Sequence, residues 1–221
     1  MKIVIALLGV VFWTLFSVAN ATEMQDVSTL QHEWAKTQYL LEGKEQIKAY
    51  EALIEKANTM VEASPESAAI LSWRGIINSA YAGVKGGLGA MKYAKAAKAD
   101  LEKSIKLNAN VLSGSASLSL GILYFKVPGW PIGFGDDDKA KSFLEKALAT
   151  SPEGIDSNYF YADFLVDQGD YKEAEKYLLK AQQAPARPER PIADKGRQKE
   201  IAVLLAKVQQ SSQAKNNNKL F

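Results

Sequence analysis

The spacing of small and apolar residues between positions 156 and 183 constrains this chain more than any other feature. The segment reads DSNYFYADFLVDQGDYKEAEKYLLKAQQ, and its apolar positions recur with the period of about 3.6 residues that a helix buried on one face requires. The positions that set the spacing are Ala162, Gly169, Tyr171, Ala174, Leu178 and Ala181. Small residues at Ala162 and Ala174 let two antiparallel helices approach closely, and Gly169 makes the turn between them. We therefore predict a helix pair whose larger apolar residues fill the groove toward a neighbouring pair.

Two earlier segments carry the same pattern with extra residues. Gly121 and Ala140 take the places of the two small residues but stand 19 residues apart, where the unit above has 12. Gly75 and Ala97 take the same places 22 residues apart. The extra residues fall in FKVPGWPIGFGDDDKA, residues 125–140, and around GVKGGLGAM. We predict that two turns between helices are lengthened there.

The chain as a whole is predicted to be all-α, a right-handed helical solenoid of about four helix pairs with a C-terminal capping helix. No alternating strand pattern of useful length is present, and proline and glycine mark helix starts and ends. The predicted helices are 26–42, 45–63, 66–83, 88–107, 111–126, 138–150, 156–168, 171–184 and 192–211. The repeat domain is predicted to span residues 22–211, with a disordered polar tail at 212–221.

The first residues have the pattern of a secretory signal peptide. Lys2 supplies a positive charge, residues 3–18 are apolar apart from two hydroxyl residues, and Ala19-Asn20-Ala21 offers small residues for cleavage. The apolar stretch is shorter than the ~20 residues that a membrane-spanning helix needs. Cleavage after Ala21 is therefore favoured over an uncleaved anchor, and residues 1–21 are predicted to be the signal peptide of an exported protein.

The composition argues against several functions. The chain has no cysteine, which removes disulfides, thiol catalysis, thiolate metal sites and the acceptor for a lipid anchor. Its 27 basic and 25 acidic residues form no basic block, which argues against a nucleic-acid partner. The serines at 115, 117 and 119 do not form a nucleophile elbow, and His32 is the only histidine. No enzyme activity and no cofactor are predicted.

The aspartates at 136–138 are interpreted as helix-capping residues. They lack the alternating ligands and the distal glutamate of a calcium loop, so no metal site is predicted. One of them is expected to cap the helix that starts near Lys139, and the others favour its positive end.

The unit at 156–183 strongly resembles the tetratricopeptide repeat. Four further motifs resemble the family of the T component associated with TRAP transporters: Pro128-Gly129-Trp130-Pro131, Gly135-Asp136-Asp137, Asn158-Tyr159-Phe160-Tyr161, and Arg187-Pro188-Glu189-Arg190-Pro191 with Asp194. The resemblance covers roughly residues 66–205. It implies a periplasmic protein that assembles as a homotrimer with a TRAP substrate-binding protein and carries a groove for an organic or hydrophobic acid. The missing cysteine departs from the lipid-anchored members.

By the same resemblance, the first helix of each pair lines a concave groove. The residues predicted to bind a ligand there or in the adjoining loop are Ile76, Leu118, Ile122, Phe125, Trp130, Phe134, Tyr159 and Asp163. Apolar side chains dominate, so a small apolar ligand or an apolar partner helix suits this wall better than a peptide carboxylate. The alternative is that other helices of the chain fill the groove.

Two further segments leave alternatives open. In the loop, Trp130, Ile132 and Phe134 either form a lid or subunit contact or pack back on the helices and plug a gap, because aromatic residues in a long loop are costly unless buried. The basic cluster consists of Arg187, Arg190, Lys195 and Arg197, with acidic residues interleaved. A solvated, internally paired surface is favoured there over an anion or partner site.

The predicted function is that of a periplasmic helical-repeat scaffold. It binds a partner protein, with a small apolar ligand as an option, in the manner of the T component. The alternative is a general envelope interaction or assembly factor that binds proteins and no small molecule. A monomer without a trapped ligand would favour that alternative.

Overall fold

The structure of the protein is a computed structural model that describes the backbone of residues 2–217 and the side chains of residues 21–87 and 89–212. In chain order, the helices are α1 (Lys2–Leu40), α2 (Gly43–Ala63), α3 (Ala68–Lys85), α4 (Gly87–Leu107), α5 (Ser115–Lys126), α6 (Asp137–Thr150), α7 (Ile155–Asp167), α8 (Tyr171–Gln182) and α9 (Pro191–Asn217). A short 3₁₀ turn, Val111–Gly114, precedes α5. No strand occurs in this part of the chain, and the all-α prediction is confirmed.

Side-chain caps fix the start of three helices. Ser67, Asp136 and Asp170 each accept a hydrogen bond from the backbone amide three residues further on, at 3.1, 3.0 and 3.2 Å. Such a cap is worth ~1 kcal/mol because it satisfies one of the unpaired amides of the first turn. The prediction that an aspartate of the 136–138 run caps the following helix is confirmed.

Small residues set the contact within each helix pair. A Cβ atom on Gly75 would lie 2.7 Å from Leu101 Cγ, and one on Gly121 would lie 2.8 Å from Leu144 Cγ. The pairs α3–α4 and α5–α6 therefore close at these glycines. In the α7–α8 pair, Ala162 at the equivalent position is fully buried. The repeat register expected from the sequence is confirmed in all three pairs.

The extra residues of the α3–α4 pair lengthen its helices and not its turn. The two helices have 18 and 21 residues, against 13 and 12 in α7 and α8. They meet at Gly86 and Gly87, whose φ angles of +60° and +62° suit glycine. The prediction of a lengthened turn at GVKGGLGAM is wrong, because residue spacing does not distinguish an inserted loop from added helical turns. The second lengthened turn is present and runs from residue 127 to 136.

The two ends of the chain extend the terminal helices. The backbone of the predicted signal peptide is part of α1, and its side chains up to residue 20 lie outside the described residues. No helix among the residues with described side chains is long and apolar enough to cross a membrane. Helix α9 continues into the predicted disordered tail as far as Asn217, and residues 218–221 lie outside the described part.

The segment 187–200 packs against the first helices of several pairs. Gly196 lies on the ring of Tyr39 in α1, where a Cβ atom would be 2.3 Å from Tyr39 Cδ1. Arg190 lies over the ring of Trp73 in α3, with its guanidinium carbon 5.4 Å from the ring centroid. The C-terminal helix thus returns to the N-terminal helix and covers part of the face that the first helices line.

Candidate partner-binding surfaces

The loop at residues 127–136 is held at its base by backbone hydrogen bonds. The Gly135 amide donates to the Pro128 carbonyl at 3.0 Å, and the Asp136 amide donates to the Tyr124 carbonyl at 2.9 Å. At Gly133 a Cβ atom would lie 2.4 Å from the Pro128 carbonyl oxygen, so the two arms of the loop touch. The loop is therefore a compact feature with a fixed base.

The aromatic and apolar side chains of this loop divide between the two predicted roles. Phe134 is partly buried and meets the ring of Tyr124 edge to face, with centroids 5.9 Å apart. It packs back on the helices, as the plug interpretation expects. Trp130 is 89% exposed and Ile132 is 71% exposed, so neither contributes to the plug.

The residues predicted for the concave groove are mostly part of the apolar packing. Leu118 is buried, Ile122 is partly buried against the same core, and Ile76 packs against the core around α3. Phe125 meets the ring of Phe164 edge to face at 5.7 Å. Nothing in the structure tests ligand binding by these residues, and the assignment stays a prediction.

Tyr159 and Asp163 in α7 are engaged by basic residues. Asp163 pairs with Lys126 at 2.7 Å, and the Asp163 side chain is 19% exposed. The guanidinium carbon of Arg197 lies 4.6 Å from the ring centroid of Tyr159. Burial raises the pKa of Tyr159 to about 12, against an opposing effect of Arg197. This hydroxyl is neutral and available as a hydrogen-bond donor at neutral pH.

The predicted basic cluster is internally paired, and its members differ in exposure. Arg187 contacts Asp156 at 2.7 Å and Asp194 at 2.6 Å, and Arg197 contacts Asp156 at 2.8 Å and also Glu200. The side chain of Arg197 is only 7% exposed. The expectation of a solvated surface is therefore wrong for Arg197, whereas Arg187 is partly exposed and Lys195 is exposed. The expected internal pairing is present for Arg187 and Arg197.

The pKa values of two carboxylates in this cluster shift in opposite directions, because burial and the arginines contribute in different proportions. Burial alone would raise the pKa of Asp156, but Arg197 and Arg187 outweigh it and hold that pKa below its usual range. Burial also raises the pKa of Glu200, and here Arg197 offsets only part of the rise. The Asp156 carboxylate is therefore the charged centre of the cluster.

A cavity of about 880 Å³ lies between α2 and α4, with α3 as its floor. None of the residues predicted for ligand binding lines it. Across the floor, Arg74 donates two hydrogen bonds to the carboxylate of Asp100, at 2.8 and 2.6 Å. This surface was missed at the sequence level because only the groove of the first helices was considered.

The described part of the chain includes the serine and the histidine that were considered for catalysis. It contains no group of three or more His, Cys, Asp or Glu residues that could hold a metal ion. Ser117 is buried on α5. His32 is exposed, and its Nδ1 atom contacts the carbonyl oxygen of Ser28, one helical turn earlier, at 2.7 Å.

The family model and one solved structure agree with the repeat architecture. The model of the tetratricopeptide repeat family matches residues 132–190. Among solved structures, a thermophilic TPR protein from Thermus thermophilus shares 20% identity with a TM-score of 0.59, covering 89% of this chain and 88% of that one. MamA shares 20% identity over 64% of this chain and 91% of that one, with a TM-score of 0.34. No curated protein matches the sequence.

These findings define the class of protein. The chain folds as a tetratricopeptide-like helical solenoid and carries a recognisable tetratricopeptide repeat at residues 132–190. Stacked repeats of this kind create extended surfaces that suit protein partners. The matches say nothing of a transporter.

Proposed function

We propose that this protein is an exported interaction scaffold whose partner contact is the apex of the loop at residues 127–136. The observation that carries the proposal is Trp130, a side chain 89% exposed on a loop whose base is fixed. A partner protein with an apolar surface is the proposed occupant.

The physical argument rests on the cost of exposing Trp130 and Ile132. Moving a tryptophan and a nearby isoleucine from water into an apolar interface is favourable, and the free protein forgoes that gain. A tryptophan anchor is among the side chains that contribute most to protein interfaces. Because the hydrogen bonds at the base already order the loop, association loses less conformational entropy than it would with a free segment.

Export is part of the proposal and rests on the sequence pattern of residues 1–21. A positive residue, an apolar stretch and Ala19-Asn20-Ala21 support cleavage after Ala21 and a periplasmic location. The mass and N-terminal sequence of the protein recovered from the periplasm test this part. A mature chain that begins at Thr22 is expected, and a chain that retains Met1 would contradict it.

The specific version of the proposal is an association with a TRAP transporter. Its support is the resemblance of the 128–131, 158–161 and 187–191 motifs to the T component, which also suggests a homotrimer and a small apolar ligand. The cover that residues 187–200 place on the first helices favours the alternative, a general envelope assembly factor with no small-molecule ligand. Identification of the partner as a TRAP substrate-binding protein would separate the two versions.

The test of the partner contact is replacement of Trp130 with Ala. We expect weaker binding of the co-purifying partner, by about tenfold or more for a central aromatic anchor, with an unchanged melting temperature. Val203→Ala is the matched control, because Val203 is a similarly exposed apolar residue, 73% exposed, on α9. Unchanged binding in Trp130→Ala, or an equal loss in Val203→Ala, would contradict the proposed contact.

A further inference from the structure

The three helix pairs differ at the positions that face the gap between successive second helices. These positions lie one residue before and three residues after the small residue of the first helix, and three residues after the small residue of the second. In the α3–α4 pair, called the first pair here, they are Arg74, Asn78 and Asp100. In the second pair, α5–α6, they are Leu120, Tyr124 and Phe143, and in the third, α7–α8, they are Tyr161, Leu165 and Tyr177.

Aromatic rings pack together at these positions in the later pairs. Tyr124 and Phe143 stack with centroids 5.8 Å apart, and Tyr161 meets Tyr177 at 4.7 Å. The loop residue Phe134 adds a further ring against Tyr124. The equivalent positions of the first pair carry charge and amide groups instead, and the cavity of about 880 Å³ lies there.

Stability alone does not account for this difference. The Arg74 and Asp100 side chains are 22% and 10% exposed, and a buried ion pair is often no more stabilising than well-packed apolar residues of similar volume. The later pairs show that this fold accommodates apolar side chains at the same positions. The polar residues of the first pair coincide with the floor and wall of the cavity.

The walls of the cavity offer further charged groups without ion-pair partners. Lys48 and Glu55 on α2 and Lys92 on α4 make no ion pair with any residue whose side chain is described. On the floor, the Asn78 amide nitrogen donates to the Arg74 carbonyl at 2.9 Å. The lining thus carries hydrogen-bond donors and acceptors, and both positively and negatively charged side chains.

We propose that the groove between α2 and α4 binds an extended, uncharged peptide segment of a partner protein. The basic residues Lys48, Arg74 and Lys92 balance the acidic residues Glu51, Glu55 and Asp100, so the lining favours a ligand without net charge. A peptide main chain is uncharged and supplies alternating N–H donors and C=O acceptors. The inference rests on the proposed function and adds a second contact to it.

The shape of the groove also suits an extended segment. The α2 wall runs from Lys48 to Asn58, about 15 Å at the helical rise of 1.5 Å per residue. That length corresponds to roughly four or five residues of extended chain at about 3.3 Å each. The alanines Ala52, Ala96 and Ala99 line the walls, and their small side chains permit close approach of a backbone.

The test starts from a display library of random heptapeptides, selected against the purified protein. Each enriched peptide is synthesised and titrated against the wild type, three alanine-to-phenylalanine variants and Trp130→Ala. Ala99→Phe and Ala52→Phe place the same bulk in the groove from opposite walls, and neither position is buried, so either can replace the other if one fails to fold. Ala149→Phe is the matched control on an exposed position of α6.

We expect enriched peptides whose dissociation constant rises about tenfold or more in the two filling variants and stays unchanged in Ala149→Phe. Three results would overturn the inference: no enrichment above background, binding that the filling variants do not change, or equal competition by free amino acids. Loss of peptide binding in Trp130→Ala alone would assign the peptide to the loop. That result would leave the proposed function standing without the groove.

Discussion

Small side chains at a few positions decide how closely the helices of this protein approach. Gly75, Gly121 and Ala162 sit where a larger residue would meet the second helix of the same pair. The periodic spacing predicted these contacts because helix packing depends directly on side-chain size. It did not predict the polar groups of the first pair, since an Arg or an Asp fits the helical period as well as an aromatic residue does.

Replacement of Ala174 with Leu tests this packing at the residue scale. Ala174 is fully buried between α7 and α8, so the added atoms force the helices apart. The free energy of unfolding is expected to fall by ~1–3 kcal/mol, measured by denaturant titration. Ala149→Leu, at an exposed site on α6, should leave it unchanged. Equal stability of the two variants would contradict the repeat register.

The Asp156 carboxylate gives the stability a dependence on acid pH. Its folded-state pKa lies below that of the unfolded chain, because Arg197 and Arg187 outweigh the effect of burial. Its contribution is therefore fully present above the unfolded pKa of about 3.9 and is lost as the pH falls through the folded pKa. The raised pKa of Glu200 acts in the opposite direction.

Asp156→Asn should remove this dependence. The variant is expected to lose ~3 kcal/mol of stability at neutral pH, because Arg197 keeps its burial and loses a partner. Its stability should also fall less steeply than that of the wild type as the pH falls below about 4. Asp167→Asn, at an exposed residue, is the control. If the stability of Asp156→Asn fell with pH as steeply as that of the wild type, other carboxylates would be responsible for the acid dependence.

At the scale of the element, sequence reasoning located the helices well and judged their connections less well. The amphipathic period predicted the helices from α2 to α8, with ends close to those in the structure. The segment between Gly75 and Ala97 was misjudged because helix-forming residues surround Gly86 and Gly87. The aromatic residues of the 127–136 loop could not be assigned individually, since the sequence does not show which ring a tight loop turns inward.

The loop should depend on Gly135 and tolerate change at Gly129. A Cβ atom on Gly135 would lie 2.0 Å from the Val127 carbonyl oxygen, whereas one on Gly129 would have its nearest neighbour at 3.6 Å. We expect Gly135→Ala to open the base of the loop and withdraw Phe134 from the Tyr124 ring, with a lower melting temperature and weaker partner binding. Gly129→Ala should match the wild type in both. A stable Gly135→Ala that binds normally would show that the base hydrogen bonds are dispensable.

At the scale of the whole molecule, the return of α9 to α1 distinguishes this protein from an open stack of repeats. In an open stack each pair contacts only its neighbours, and the ends unfold most easily. Here the segment 187–200 joins α1, α3 and α7 through Tyr39, Trp73 and Asp156. This closure was only an alternative at the sequence level, because spacing within one helix does not report a contact between the two ends of a chain.

Gly196→Ala tests the closure. The added methyl group would overlap the Tyr39 ring, with 2.3 Å to its nearest atom. We expect faster amide hydrogen exchange in α1 and α9 and unchanged exchange in α5 and α6. Ala202→Gly, on an exposed face of α9, controls for a change in helix propensity. Uniform acceleration along the chain would contradict a local closure.

The central claim is that the protein binds a partner protein through the apex of the 127–136 loop. Native mass spectrometry of the protein purified gently from its native cells tests this claim most directly. The account predicts a discrete complex with a second polypeptide in the wild type and in Val203→Ala, which Trp130→Ala loses. A bare monomer in the wild type, or a complex that persists in Trp130→Ala, would contradict the account.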